Sequence, residues 1–283
     1  MIKPVKIACD STTDLGKELL ARYSVSVLPL GIQLGGVHYT DGVDMDPQGI
    51  YDHYAATGEL PKTSAPNIGN FMDFFAAETA DGSAVVFFTI SSDMSSCYNN
   101  ACVAAAEYED VYVVDTRNLS TGGGLLVLAA AEMARAGKDA AEIAHTCEEM
   151  RERVDASFVI DSLEFLHKGG RCSGVAALGA NLLQLKPCIA VREGKMGVGK
   201  KYRGKFAAVL HQYIADRLGD GSGIDRHRVF VTDAGVDPEI VRACVEQVEA
   251  TGIFEEILTT KAGCTISSHC GQNCLGVLFV HTK

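Results

Sequence analysis

The stretch SAVVFFTISSDMSSCYNNACVAAAEYEDVYVVDTRNLSTGGGLLVLAAAEMARAG, residues 83–137, decides the fold class. Residues 83–91 form a short apolar run rich in Val and Phe, which reads as a buried strand. Residues 95–110 change to helical spacing. A second strand follows in VYVVDT (111–116) and a second helix over 119–137. Strand–helix alternation at this spacing predicts βαβ units and a mostly parallel sheet.

The same alternation extends toward the N-terminus. VKIACD (5–10) reads as a buried strand, DLGKELLARYS (14–24) as an amphipathic helix, SVSVLPLGIQL (24–34) as a strand and DPQGIYDHYAATG (46–58) as a helix. Toward the C-terminus, the charged segment DAAEIAHTCEEMRERV (139–154) has the length of a connecting helix, and the domain boundary is expected just after it, near Asp155. Beyond it, strands are expected at 157–162, 188–193, 228–235, 255–261 and 274–282, with helices at 205–218 and 238–252. The expected fold is α/β with two domains: residues 1–155 with a mostly parallel sheet and flanking helices, and residues 156–283 as an α+β domain with a mixed sheet.

With 283 residues, 47% hydrophobic residues, no Trp and 7 Pro, the chain can bury two real cores and is neither all-β nor disordered. A net charge of −11 argues against a nucleic-acid partner, which selects for a basic face. The opening MIKPVKIACDSTTDL lacks the apolar region of a signal peptide, and the longest apolar run, LLVLAAAEMA, is interrupted by Glu132. The ten cysteines are therefore expected to be thiols in the cytoplasm. Cys9, Cys102 and Cys244 lie in apolar patterns and should pack as small hydrophobes.

Several familiar motifs fail. Gly194 to Lys201 approaches a phosphate-binding loop, but Lys201 stands where a Ser or Thr must hold magnesium; a β-hairpin turning at Glu193-Gly194 accounts for it better. Gly122, Gly123 and Gly124 follow a strand and open a helix, but Val127 breaks the dinucleotide fingerprint, so close helix packing is preferred. No nucleophile elbow occurs. Cys264, Cys270, Cys274 and His269 match no common zinc spacing.

Three polar segments remain, each beside a strand end and each read as a loop: Thr63-Ser-Ala-Pro66, Ser91-Ser-Asp-Met-Ser-Ser96 and Ser267-Ser-His-Cys-Gly271. Together they offer many hydroxyls and one imidazole. Ligands of open parallel sheets bind at carboxyl ends of strands, and Ser91–Ser96 occupies such a position, where amides and hydroxyls can cradle an anion.

The chain resembles the DegV family over nearly its whole length. The carriers of the resemblance are IACDSTTDL, TSAP, ISSDMSSCY, SLEFLHKGGR, the run from Leu185-Lys-Pro to Lys201-Tyr-Arg203-Gly, and ISSHCGQNCLGV, six matches in the family's order. The resemblance implies a two-domain α/β fold that buries one long-chain fatty acid between its domains and presents its carboxyl group to a separate fatty-acid kinase. It implies that Thr63 and Ser95 hydrogen-bond the carboxyl group, that His269 completes the network, that Ser64, Ser92 and Ser96 sit close by, and that Arg171 and Arg203 face the kinase. It implies no cofactor other than the bound acid. Met94 stands for the usual Leu, a tolerable exchange, whereas Ser96 and Cys97 in place of Gly and Thr, and Gln272 and Asn273 in place of Pro-Gly, depart from the family pattern and are expected to crowd the head-group pocket with polar atoms.

The chemistry of such a ligand agrees with the segments. Each buried methylene stabilises binding by about 0.8 kcal/mol, while a buried carboxyl group needs hydrogen-bond partners. The competing reading is a serine-dependent acyl hydrolase or transferase with Ser95 as nucleophile, His269 as base and Asp10 or Asp93 as orienting carboxylate. One further feature stands apart from the family. Between residues 168 and 205 there are nine Lys and Arg and only Glu193 as an acid, a balance of 9 − 1 = +8 in a chain of −11. Such a field suits an acidic partner protein or, alternatively, a transient contact with an anionic membrane surface.

Overall fold

The computed structural model describes residues 3–173 and 185–283. In chain order its elements are β1 (Val5–Asp10), α1 (Gly16–Tyr23), β2 (Val25–Leu28), β3 (Gly31–Leu34), β4 (Val37–Thr40), α2 (Pro47–Thr57), β5 (Lys62–Ser64), α3 (Ile68–Thr79), β6 (Ala84–Thr89), α4 (Cys97–Ala105), β7 (Val111–Asp115), α5 (Thr121–Arg135), α6 (Ala140–Arg151) and β8 (Val154–Ile160). There follow α7 (Glu164–Gly169), β9 (Cys172–Ser173), β10 (Leu185–Arg192), β11 (Lys195–Arg203), α8 (Phe206–Leu218), β12 (Ile224–Ala234), α9 (Pro238–Ala250), β13 (Glu256–Lys261), α10 (Cys264–Cys270) and β14 (Cys274–His281).

The alternating half makes a four-stranded sheet in the order β2-β1-β6-β7, parallel throughout. The later strands form a seven-stranded mixed sheet, β13-β12-β14-β8-β10-β11-β9. Its two end pairs are parallel and the four pairings between them antiparallel. A third, antiparallel sheet has the order β4-β3-β5. Here the expectation of one strand over 24–34 is corrected. Pro29, which has no N–H to donate, separates β2 in the parallel sheet from β3 in the small one. Helix α3 and the β3–β4 hairpin were not read from the sequence at all. The expected hairpin is present: β10 and β11 pair with Arg192 opposite Lys195, and Glu193 and Gly194 turn with φ of 50° and 81°.

Alternate residues of β12 and β14 enter different cores, because both faces of the mixed sheet are covered. Val229, Val231, Leu275, Val277 and Phe279 pack with α8 and α9, whereas Phe230, Leu278 and Val280 pack with α5 and the parallel sheet. Helix α5 is apolar nearly all round because it lies between the two large sheets. Its glycines fit that position: a β-carbon on Gly124 would come within 2.8 Å of Leu15 and 3.0 Å of the Thr13 carbonyl. At one edge the buried Arg228 bonds Glu132, Glu256 and the Tyr23 hydroxyl, joining α1, α5, β12 and β13. Cys9 and Cys244 are fully buried and Cys102 is half-buried. No helix among the described residues is long and apolar enough to cross a membrane.

Candidate functional site

The small sheet, the loop after β6 and helix α10 converge on one pocket. Strand β5 sets Thr63 opposite Ile32 of β3. The loop after β6 supplies Met94, Ser95 and Ser96, and α10 supplies Thr265, Ile266, His269 and Cys270. Leu30, Leu119, Met196 and Arg171 complete most of the wall of a cavity of about 280 Å3. A separate small void of about 20 Å3, on the other side of Leu119, Ile266 and Cys270, reaches Phe158 and Leu278.

At the polar end, Thr63 Oγ1 lies 3.0 Å from His269 Nε2. The other ring nitrogen, Nδ1, is buried with no hydrogen-bond partner among the described residues. Burial, reinforced by the charge of Arg171, pushes the imidazole down to about 4, so it is neutral at pH 7. Arg171 is exposed and donates to the Gly169 carbonyl at 2.7 Å. The pocket therefore offers neutral hydrogen-bonding groups inside and a fixed cation at its wall.

The loop after β6 differs from the expected amide cradle. The N–H groups of Asp93, Met94 and Ser95 all turn back onto Ser91, and that of Ser92 donates to Asp115. These four amides are therefore not available to a ligand. Ser95 Oγ holds a weak bond to Cys97 Sγ at 3.2 Å, which a better acceptor can replace. Ser96 makes no capping bond to α4.

Of the residues singled out in the sequence, Thr63, Ser64, Ser95, Ser96, His269 and Arg171 line the pocket. Ser92 does not; its N–H is held by Asp115 at the end of β7. Arg203 ends β11 opposite Leu185 and is exposed outside the pocket. Ser267–Cys270 is helix, not loop. Of the departing residues only Met94 and Ser96 line the pocket; Gln272 and Asn273 lie beyond it, and Cys97 is buried behind Ser95. Thr265 and Ile266 were missed; they precede His269 by four and three residues, one helical turn, and so share its face.

No triad assembles. Asp10 accepts from Thr12 and from the Ile90 N–H, and Asp93 pairs with Arg117 and Lys195. Among the described residues no group of His, Cys, Asp or Glu has the arrangement of a metal site. A larger cavity of about 620 Å3 lies beyond Gly263, lined in part by Asp14, Asp41, Asp233 and Lys261. Its wall mixes these carboxyl groups with Lys17 and Lys261, and it holds none of Thr63, Ser95 or His269.

A family model for DegV proteins matches residues 4–282. The chain belongs to the DegV family. A DegV domain-containing protein of Deinococcus radiodurans is 31% identical over 276 residues, covering 96% of this chain and 97% of that protein. Among solved structures, a fatty-acid-binding DegV family protein of Thermus thermophilus is similar with a TM-score of 0.88 and 30% identity, covering all of both chains. A stearic-acid-binding protein of Eubacterium ventriosum is similar with a TM-score of 0.83 and 26% identity, over 98% of each chain. The DegV fold thus extends over the parallel and the mixed sheets together.

Proposed function

We propose that this DegV chain binds one long-chain fatty acid, with its carboxyl group in the pocket of Thr63, Ser95 and His269 and its tail directed past Leu119, Ile266 and Cys270 into the apolar interior, where side chains must move aside to admit it. The observation that carries the reading is the Thr63–His269 pair at 3.0 Å in a pocket that sets hydroxyls and Arg171 beside the apolar Leu30, Ile90, Leu119 and Ile266. If His269 Nε2 is the donor to Thr63, the threonine hydroxyl hydrogen is released toward a ligand oxygen. Ser95 gives the second donor, and Ser64 and Ser96 flank them. Arg171 supplies the charge that the neutral imidazole lacks. The tail follows Leu119, Ile266 and Cys270; Met94 and Met196 have the unbranched, adaptable side chains suited to opening that path. The fatty-acid-binding relatives from Thermus and Eubacterium support the ligand class.

We further propose two units dividing near Asp155, a cytoplasmic location, and a role as carrier: the protein presents the acid to a separate kinase that docks at Arg171 and Arg203. On this reading the chain is a binding protein. The hydrolase alternative is less favoured, since His269 meets Thr63 and no carboxylate. The test is to denature purified protein and identify any released lipid by mass spectrometry, then titrate delipidated protein with a fluorescent fatty acid. One acid per chain is expected. A lipid-free preparation that also fails to bind the added acid overturns the proposal.

A further inference from the structure

Asp41 does not line the head-group pocket, and of the residues that do it bonds only Leu30 and Thr265, yet both halves of the Thr63–His269 pair hang from it. It follows β4 directly and is 5% exposed. One carboxylate oxygen accepts the Cys264 N–H at 2.8 Å. The other accepts the Thr265 N–H at 3.2 Å, the Thr265 hydroxyl at 2.7 Å and the Ser11 hydroxyl at 2.9 Å. None of the ion pairs among the described residues includes it, so those donors and the first-turn amides of α10 balance its charge. On the strand side, the Asp41 N–H donates to Leu30 O at 2.9 Å, and the Leu30 N–H donates to Ser11 Oγ at 3.1 Å.

The topology gives this cluster its consequence. Strand β4 pairs with β3, and β3 pairs with β5, which carries Thr63. Helix α10 carries His269. Its N-cap residue is Gly263, which has no side chain to cap the helix. The cap is therefore supplied from the small sheet. A helix of seven residues has little intrinsic stability, so its placement depends on such tertiary contacts. A hydrogen bond of 3.0 Å is lost on a displacement of about 1 Å.

We propose that Asp41 is a positioning residue for the head-group site: it fastens α10 to the small sheet and thereby sets the Thr63–His269 distance. The inference rests on the fatty-acid reading only for its binding readout. The sequence places Asp41 in no motif, and its side chain is absent from the pocket wall.

The experiment is a double-mutant cycle with Asp41→Asn and His269→Ala, read by fluorescent fatty-acid titration, with cooperative thermal unfolding confirming that each variant is folded. Asn keeps the size but puts an N–H2 group against the amides of α10. D41N is expected to weaken binding about tenfold in the wild-type background and to add nothing in the H269A background, since it acts through that side chain. Equal losses in both backgrounds, or no loss in the first, overturn the proposal. The side-chain nitrogen resonances of His269 in delipidated protein give a readout without ligand. D41N is expected to shift Nε2 as the Thr63 bond lengthens, and an unchanged Nε2 overturns the proposal. This arm stands even if the wild type proves to bind no fatty acid. Should D41N not fold, Ser11→Ala removes one of the four donors and carries the same comparisons with a loss of about threefold.

Discussion

Gly169 lies against His269 so closely that a β-carbon on it would stand 2.7 Å from Nδ1. Its neighbour Gly170 has open space around it but a φ of 69°. The two glycines of the KGGR segment therefore do different work, one by size and one by backbone conformation.

Substituting each separates the two effects. Gly169→Ala is expected to push the imidazole off Thr63 and weaken fatty-acid binding about tenfold with little change in stability. Gly170→Ala should cost about 1–2 kcal/mol of stability, the strain of a left-handed alanine, and leave affinity nearly unchanged. Fluorescence titration and denaturant unfolding on both variants check this; equal effects on binding refute it.

Removing the hydroxyls tests the carboxyl contacts directly. Thr63→Val and Ser95→Ala are each expected to weaken binding by roughly 1–3 kcal/mol, the cost of a buried polar group without its partner. Thr63→Val should be the larger, because it also strands His269 Nε2. Circular dichroism should be unchanged in both. Wild-type affinity in both variants removes the assignment.

The parts of this molecule that the sequence reveals are those built from local patterns. Strands β6 and β7 and helices α4 and α5 read directly because each is a continuous apolar or small-residue run of characteristic length. Helix α10 does not. Its seven residues, CTISSHC, include Thr, Ser and Cys of middling helix propensity, and its cap comes from Asp41, 223 positions away. Read without that cap, the segment is a loop, and Thr265 and Ile266 go unnoticed beside His269. Thr63 and His269 are 206 positions apart, so each was legible as a polar residue near a strand end but their contact came only through the family resemblance. Ser92 and Ser95 are indistinguishable in sequence; the turn onto Ser91 decides which one faces the pocket.

The buried acids near the site set a pH dependence. Burial raises Asp14 from 3.8 to about 8, against the bonds from Ser120 and Gly263. Between those values the folded protein holds a proton that the unfolded chain has released, so stability falls as pH rises toward 8. Asp10 is raised only to about 6, and the depressed His269 acts below its ordinary value of 6.5. In the interval from about pH 6.5 to 8 these two contribute little, and comparison with a neutral variant at position 14 removes what Asp233, also raised by burial, adds. Asn copies the neutral acid and tolerates the left-handed backbone there. Relative to Asp14→Asn, the wild type is expected to lose up to about 1.4 kcal/mol per pH unit across that interval. Urea unfolding of both proteins at its two ends checks it, and parallel curves refute it.

The hairpin tip is fastened to the serine loop. Arg117 donates to Asp93 at 2.7 Å and to the Glu193 carbonyl, and Ser91 Oγ donates to the Gly194 carbonyl at 2.7 Å. Met196 of the hairpin and Met94 of the loop both line the pocket. Arg117→Ala loosens this closure. Because both charged partners are partly exposed, the stability loss should stay within about 1 kcal/mol, but fatty-acid dissociation should quicken several-fold in stopped-flow displacement. An unchanged rate excludes the hairpin as part of the exit path.

Arg171 and Arg203 lie toward opposite ends of β11, since β9 meets that strand at Met196 and Arg203 closes it, so their variants should behave differently. Arg171 lines the cavity and its charge lowers the proton affinity of His269. Arg203 lies at the end of β11, exposed and away from the lining. Arg171→Ala removes the cation beside the proposed carboxylate. It is therefore expected to weaken fatty-acid binding and to raise the proton affinity of His269, measurable by imidazole titration. Arg203→Ala should leave both unchanged. If the two form a docking surface for a kinase, acyl-phosphate formation with the cognate kinase should fall in both variants, and in R203A it should fall at full lipid occupancy. That dissociation of loading from turnover is what a partner contact predicts and a pocket contact does not. Normal turnover in R203A with loaded protein removes the docking proposal, whereas normal lipid affinity in R171A removes Arg171 from the carboxyl site and leaves it as a surface charge only.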